Sequence, residues 1–330
     1  MRAIVLGAGG FIGNHLVSRL KSEGYYVKGV DLKHPLFSSS AADDFVIGDL
    51  RDKAFCDTMF SDAFDEVYQL AADMGGAGYL FTGENDFNVM HHSAQINLNV
   101  AQAAIQLPGV KLFYSSSACI YPRHNQNNPL APNCEESSAY PADPDSEYGW
   151  EKLFSERLYL NACSNYNLNV RLARFHNVYG PENDYNSGKE KAPAAVCRKV
   201  AMAPENGTVE IWGDGQQTRS FLFVEDCIEG IRKLMQSDFH GPVNIGSEEM
   251  ISINDFARLV IGISGKQLEI RNTEGPVGVM GRTSNNTLVV EKTGWEPAIS
   301  LEAGMQLTYN WMVEDINRLA AELIEQTSVS

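Results

Sequence analysis

Tyr148 and Lys152 lie four residues apart. On a helix they share one face, which places an ammonium where it can stabilise a phenolate. Such a pair makes a base for hydride transfer. An unperturbed tyrosine has a pKa near ~10, so a phenolate at neutral pH costs roughly 4 kcal/mol unless a nearby cation and a cofactor's charge lower it. Ser115, Ser116 and Ser117 offer hydroxyls to a substrate alcohol undergoing oxidation. The stretch Ser117-Ala118-Cys119-Ile120-Tyr121-Pro122 adds a thiol where a simple redox site would need only a hydroxyl. A cysteine beside this apparatus can exchange protons with carbon, and oxidation followed by epimerisation is the reaction class that uses both.

Upstream, Gly7-Ala8-Gly9-Gly10-Phe11-Ile12-Gly13 has the spacing of a dinucleotide loop. Its backbone can approach a pyrophosphate while Phe11 and Ile12 open a helix whose N–H groups donate. Asp31 follows roughly 20 residues after the loop; its carboxylate would accept from the adenosine ribose and repel a 2′-phosphate, which favours NAD over NADP. Asp49 and Leu50 are placed to cap the adenine pocket, and Leu70, Ala71 and Ala72 are small enough to let a cofactor lie close.

These residues work together only if several strands end on one edge of a sheet. Ala3 to Leu6 reads as a strand, Phe11 to Ser22 carries apolar residues at helical spacing, Gly24 ends that helix, and Tyr25 to Val30 is the next strand. This is a βαβ unit of the length a dinucleotide fold requires. Further strands are expected at Phe45 to Ile47, Glu66 to Ala71, Lys111 to Ser115 and Val170 to Phe175, with helices near Lys53 to Phe60, His91 to Leu107 and Glu147 to Tyr166. Strict alternation predicts an α/β fold of Rossmann type, a doubly wound parallel sheet covered on both faces. Beyond Gly180 the pattern becomes irregular. Residues 1–178 are therefore read as an NAD-binding domain. Residues 179–330 are read as a smaller, partly interleaved substrate domain with segments returning to the first.

The chain has 330 residues, 44% hydrophobic, enough for a large core, and a net charge of -16 without a long Lys/Arg run. Nucleic-acid binding is therefore not expected, and any anionic ligand must be held by local donors. No stretch of ~18 apolar residues suggests a membrane span, and the start does not resemble a signal peptide, so a cytoplasmic protein is expected. The six cysteines form no C-x-x-C pair or zinc-like cluster, so no metal is expected.

The order of glycine loop, serine-rich strand end and Tyr-x-x-x-Lys resembles the extended short-chain dehydrogenase/reductases that act on nucleotide sugars. More narrowly, six stretches are similar to the GDP-mannose 3,5-epimerase family. They are Leu70 to Gly76, Ser116 to Pro122, Arg174 to Pro181, Glu190 to Ala195, Trp212 to Phe221 and Pro242 to Ser247. The resemblance extends to about Trp311, and its specific part is Cys119 with Glu190-Lys191-Ala192. It implies that Tyr148 deprotonates the 4-hydroxyl of GDP-mannose while hydride passes to NAD. The ketone then acidifies carbons 3 and 5, and Cys119 and Lys191 act as the acid/base couple. On residue type alone, Lys189 and Lys191 read as solvated loop charges.

The resemblance further implies a diphosphate held by Asn177, Lys199, Arg219 and Arg282, with Gln217 on polar groups of the ligand; the arginine fork suits phosphate oxygens. Gly75 would let backbone approach the hexose, and Ser117 and Ala118 would line it. Met280 and His92-Ser93 depart from the family pattern near the sugar pocket. A homodimer is implied through the helices near 91–107 and 147–166, with Ile96, Val100, Ala103 and Ala104 as the offered stripe, although the sheet could bury the same residues. A 4,6-dehydratase would need Thr-Asp-Glu where Ala118-Cys119-Ile120 stands. The alternatives are an epimerase or epimerase/reductase on another GDP-sugar and a non-catalytic NAD-binding scaffold.

Overall fold

The computed structural model describes residues 1–328. Four apolar residues of β1 (Arg2–Leu6) are fully buried, as a strand covered on both faces requires. It lies between β4 (Glu66–Gln69) and β2 (Tyr26–Asp31) in a seven-stranded sheet that also holds β3 (Asp44–Ile47), β5 (Lys111–Ser117) and β6 (Asn169–Phe175). Every pairing in this sheet is parallel. The crossovers are α1 (Phe11–Ser22), α2 (Lys53–Met59), a turn of helix α3 (Ala77–Leu80), α4 (Asp86–Ala104) and α5 (Glu147–Tyr166). The α/β reading is borne out.

Among the boundaries that differ from expectation, three bear on the site. Helix α4 begins at Asp86 rather than His91, because Asp86 at its first turn suits the positive end of the helix although no apolar period marks it. Strand β4 stops at Gln69, and β5 continues through Ser117, paired with Phe175. The reactive serines therefore stand on a rigid ladder and not on a loop.

After β6 and β7 (Val178–Tyr179), the chain builds α6 (Ala192–Met202), β8 (Thr208–Trp212), β9 (Thr218–Ser220) and β10 (Leu222–Phe223). Helix α7 (Val224–Gln236) then packs on α1, and β11 (Val243–Ile245) pairs with β6 to complete the sheet. A three-residue strand leaves too little pattern to be recognised as one. The rest comprises β12 (Met250–Ser252), α8 (Ile253–Ser264), β13 (Glu269–Thr273), β14 (Gly281–Arg282), α9 (Thr287–Thr293) and α10 (Leu301–Ser328).

Two apolar clusters cover the two faces of the sheet; a third joins α6, α8 and α10 to β8. Under β6 and β11, Arg174 pairs with Glu156 at 2.9 Å, and His176 meets Asn244 at 3.0 Å, all buried. Burial drives His176 down to about 3, so it is neutral when folded. Among the described residues no helix is long and apolar enough to cross a membrane.

Candidate active site

Because all seven strands run the same way, their carboxyl ends share one edge, and every residue nominated from the sequence lines a single cavity of about 870 Å³ along it. At its cofactor end, α1 starts on Gly10 without a side-chain cap, leaving its first N–H groups free to donate. Gly7 has φ +88°, and a Cβ on Gly13 would stand 2.0 Å from the Gly7 carbonyl oxygen. Gly9 is equally constrained: its Cβ would stand 2.0 Å from the Lys33 carbonyl oxygen. Asp31 accepts from Gly9 N–H at 2.9 Å, and burial raises it above the ordinary aspartate range against that bond. A backbone cradle that excludes side chains, open N–H donors and a cavity-facing carboxylate fit a dinucleotide.

Tyr148 and Lys152 stand in the first two turns of α5, which Ser146 caps by accepting from Gly149 N–H. A Cβ on Gly149 would stand 2.2 Å from the Cys119 carbonyl oxygen, so this glycine lets the helix close on the cysteine segment. Sequence reasoning missed it inside Tyr148-Gly149-Trp150. Lys152 donates to the Ser115 carbonyl at 2.8 Å, and its ammonium is 5.6 Å from the centre of the Tyr148 ring.

Burial pushes Tyr148 well above its ordinary value, with Cys119 adding to the rise and Ser117 opposing it; relief by Lys152 is not among the causes. Burial likewise lowers Lys152. The tyrosine–lysine pair by itself does not make a phenolate.

Lys191 is the N-cap residue of α6 and comes from the loop after β7. That loop is docked: Gly76 N–H donates to Lys189 O at 2.8 Å, and a Cβ on Gly76 would stand 2.2 Å from the Glu190 carbonyl oxygen. Lys189 reaches Asp73 at 3.4 Å and sits 3.8 Å from the centre of the Tyr79 ring. Burial lowers Lys191, opposed by the Cys119 sulfur across the cavity. Lys191 is half-buried and lines the cavity, so it is not a fully solvated loop charge.

The expected phosphate donors divide. Arg219 donates to two backbone carbonyls and has no ion-pair partner within 4 Å among the described residues; burial, then Arg282, drives it down to about 10. Lys199 donates to Glu210 O at 2.7 Å, Asn177 to Ser220 O at 3.0 Å and Gln217 to Trp212 O at 3.1 Å, all at the wall. Glu190 is paired with Arg198, and Ala192 opens α6.

Arg282 is spent differently. It donates to Gln126 at 2.6 Å, to Asp145 at 2.7 Å and to the Cys119 sulfur at 3.1 Å. Gln126 and Asp145 carry no motif signal and were missed. Met280, expected at the sugar pocket, does not line the cavity, whereas His92 does, bonded to Asp73 at 2.9 Å.

Residues 3–246 match the NAD dependent epimerase/dehydratase family. GDP-mannose 3,5-epimerase of Arabidopsis thaliana is 42% identical over 98% of this chain and 85% of its own length. GDP-mannose 3,5-epimerase 1 of Oryza sativa subsp. japonica is 42% identical over 96% and 83%. A Thermotoga maritima UDP-glucose 4-epimerase structure, solved with UDP-glucose, superposes with a TM-score of 0.84 at 25% identity, covering 96% of this chain and all of that one. With the glycine cradle, the tyrosine–lysine helix and likeness over nearly its whole length, the chain belongs to the NAD dependent epimerase/dehydratase family, alongside the plant GDP-mannose 3,5-epimerases.

Proposed function

We propose that this chain epimerises GDP-mannose at carbons 3 and 5, towards GDP-L-galactose and GDP-L-gulose, through transient oxidation at carbon 4. The observation that carries this reading is a thiol and an amine, Cys119 and Lys191, both half-buried and lining the same cavity as Tyr148 and Lys152. The relatives at 42% identity bear the same activity in their names.

NAD, held by the Gly7 to Gly13 cradle and Asp31, would supply a reversible hydride acceptor for carbon 4 and a positively charged ring beside Tyr148. Tyr148 takes the proton of the 4-hydroxyl, which Ser117 orients. The resulting ketone acidifies the neighbouring C–H bonds. Cys119 and Lys191 then remove a proton from one face and return one on the other, and no net oxidation occurs. Arg219, free of any carboxylate partner among the described residues, is the donor best suited to the diphosphate.

The test is deuterium uptake from solvent at carbons 3 and 5 of GDP-mannose. Cys119→Ala and Lys191→Ala should lose uptake by about 10²- to 10⁴-fold yet still reduce bound NAD, whereas Tyr148→Phe should lose both activities. Undiminished uptake in both acid/base variants would falsify the assignment.

We also infer a cytoplasmic homodimer. The six cysteines are unpaired, which suits a reducing compartment. Ile96, Val100, Ala103 and Ala104 are buried in the core, the alternative the sequence reading left open, and so do not offer an interface. The outer faces of α4 and α5 instead expose Phe87, Met90, Leu98, Trp150 and Phe154. Sedimentation as a monomer at micromolar concentration would refute the dimer.

A further inference from the structure

Arg282 sits on β14 with almost none of its side chain exposed, and its guanidinium is fixed on three sides. Nε donates to Gln126 Oε1, a residue with 0% exposure whose own amide donates to the Tyr121 and Pro122 carbonyls. Nη2 pairs with Asp145, itself buried. The remaining fork nitrogen, Nη1, points at Cys119 Sγ. A phosphate donor would present its fork to the ligand; this one is turned onto the thiol.

We propose that Asp145 and Arg282 are positioning residues that aim the Cys119 sulfur into the cavity as the proton acceptor. This rests on the epimerase reading above. A charge-assisted N–H bond to sulfur stabilises thiolate over thiol. The charged groups acting on Cys119 have the same sense: Arg282 from β14, Arg219 from β9, Lys191 at the head of α6 and Lys152 on α5, against Asp145. Tyr148 and Cys134, the other titratable neighbours, are both pushed up by burial and neutral.

Asp145 has a second consequence. It precedes Ser146, the cap of the helix that carries Tyr148, and accepts from that serine at 3.2 Å. The same carboxylate thus ties the residue that oxidises carbon 4 to the residue that deprotonates its neighbour. In the step proposed, the thiolate takes a proton from carbon to become a thiol, and the electron pair stays on the ketone as an enolate. Arg282 gives up no proton.

The test is alkylation of Cys119 by iodoacetamide, followed on that peptide by mass spectrometry in the full-length protein. Arg282→Gln should lower the rate of alkylation at a fixed pH by about tenfold, because the sulfur loses the guanidinium that holds it. It should also lower deuterium uptake at carbons 3 and 5 tenfold or more, with reduction of bound NAD changed less than threefold. Arg282→Lys keeps the charge but not the fork, and should fall between the two; it decides the matter if Arg282→Gln does not fold. An unchanged alkylation rate overturns the proposal, as does an equal loss of uptake and NAD reduction. The alkylation arm contains no sugar, so a wild type that fails to exchange with GDP-mannose would reject the substrate reading and leave this inference decidable.

Discussion

The two ends of the cavity are built in opposite ways. At the cofactor end, the cradle is one short loop, Gly7 to Gly13, whose shape follows from backbone contacts at residues without side chains. At the proton-transfer end, Cys119, Asp145, Lys191 and Arg282 come from four distant segments, and each is held by partners elsewhere in the chain. A site made of local backbone is coded by local residue types. A site made of convergent side chains is set by what packs behind each of them.

The contrast predicts where single methyl groups should do damage. The largest effect should come from Gly13→Ala, whose Cβ cannot fit against the Gly7 carbonyl unless α1 leaves its strand. Bound NAD should be lost on purification. Added NAD should no longer raise Tm, although at 100-fold excess over Kd it stabilises the wild type by about 2.7 kcal/mol. Retention of stoichiometric NAD in Gly13→Ala would show that the cradle is not where the dinucleotide lies.

Gly76→Ala should sharpen the comparison, because it acts on the docked loop that carries Lys191 and not on the redox residues. A Cβ against the Glu190 carbonyl should displace the loop by roughly 1 Å, and misplacement of that size costs about 10²-fold. Deuterium uptake should fall by that factor while reduction of bound NAD falls much less. Equal losses would mean that the two ends are not separable.

The smallest effect is on stability. His176 is held neutral by burial at about 3, below its ordinary 6.5, so the unfolded chain binds more protons between those values. Stability from this group is present above pH 6.5 and declines as pH falls towards 3. His176→Gln should flatten that part of a Tm-against-pH curve; an unchanged slope would assign acid lability to the carboxylates instead.

Much of this was legible in advance. Helices at Phe11–Ser22 and Glu147–Tyr166 match their expected bounds, because the first has clear apolar spacing and a glycine stop, and the second opens on its own cap. The motif residues all reached one cavity, since parallel strands must end on one edge. Strand β11, too short to show alternation, was not legible as a strand. Nor were Gln126 and Asp145, whose residue types are ordinary and whose work is visible only beside Arg282.

The sequence by itself determined the chemistry on offer: a dinucleotide loop, a tyrosine–lysine pair, a thiol and an amine. Those depend on residue identity and short spacing. The tertiary structure alone decided how the charges are used. Burial raises Tyr148 and lowers Lys191, Arg219 is left without a carboxylate partner among the described residues, and Arg282 faces sulfur. The physical reason is that burial and the direction of a guanidinium are properties of the space between segments, and spacing along the chain does not contain them.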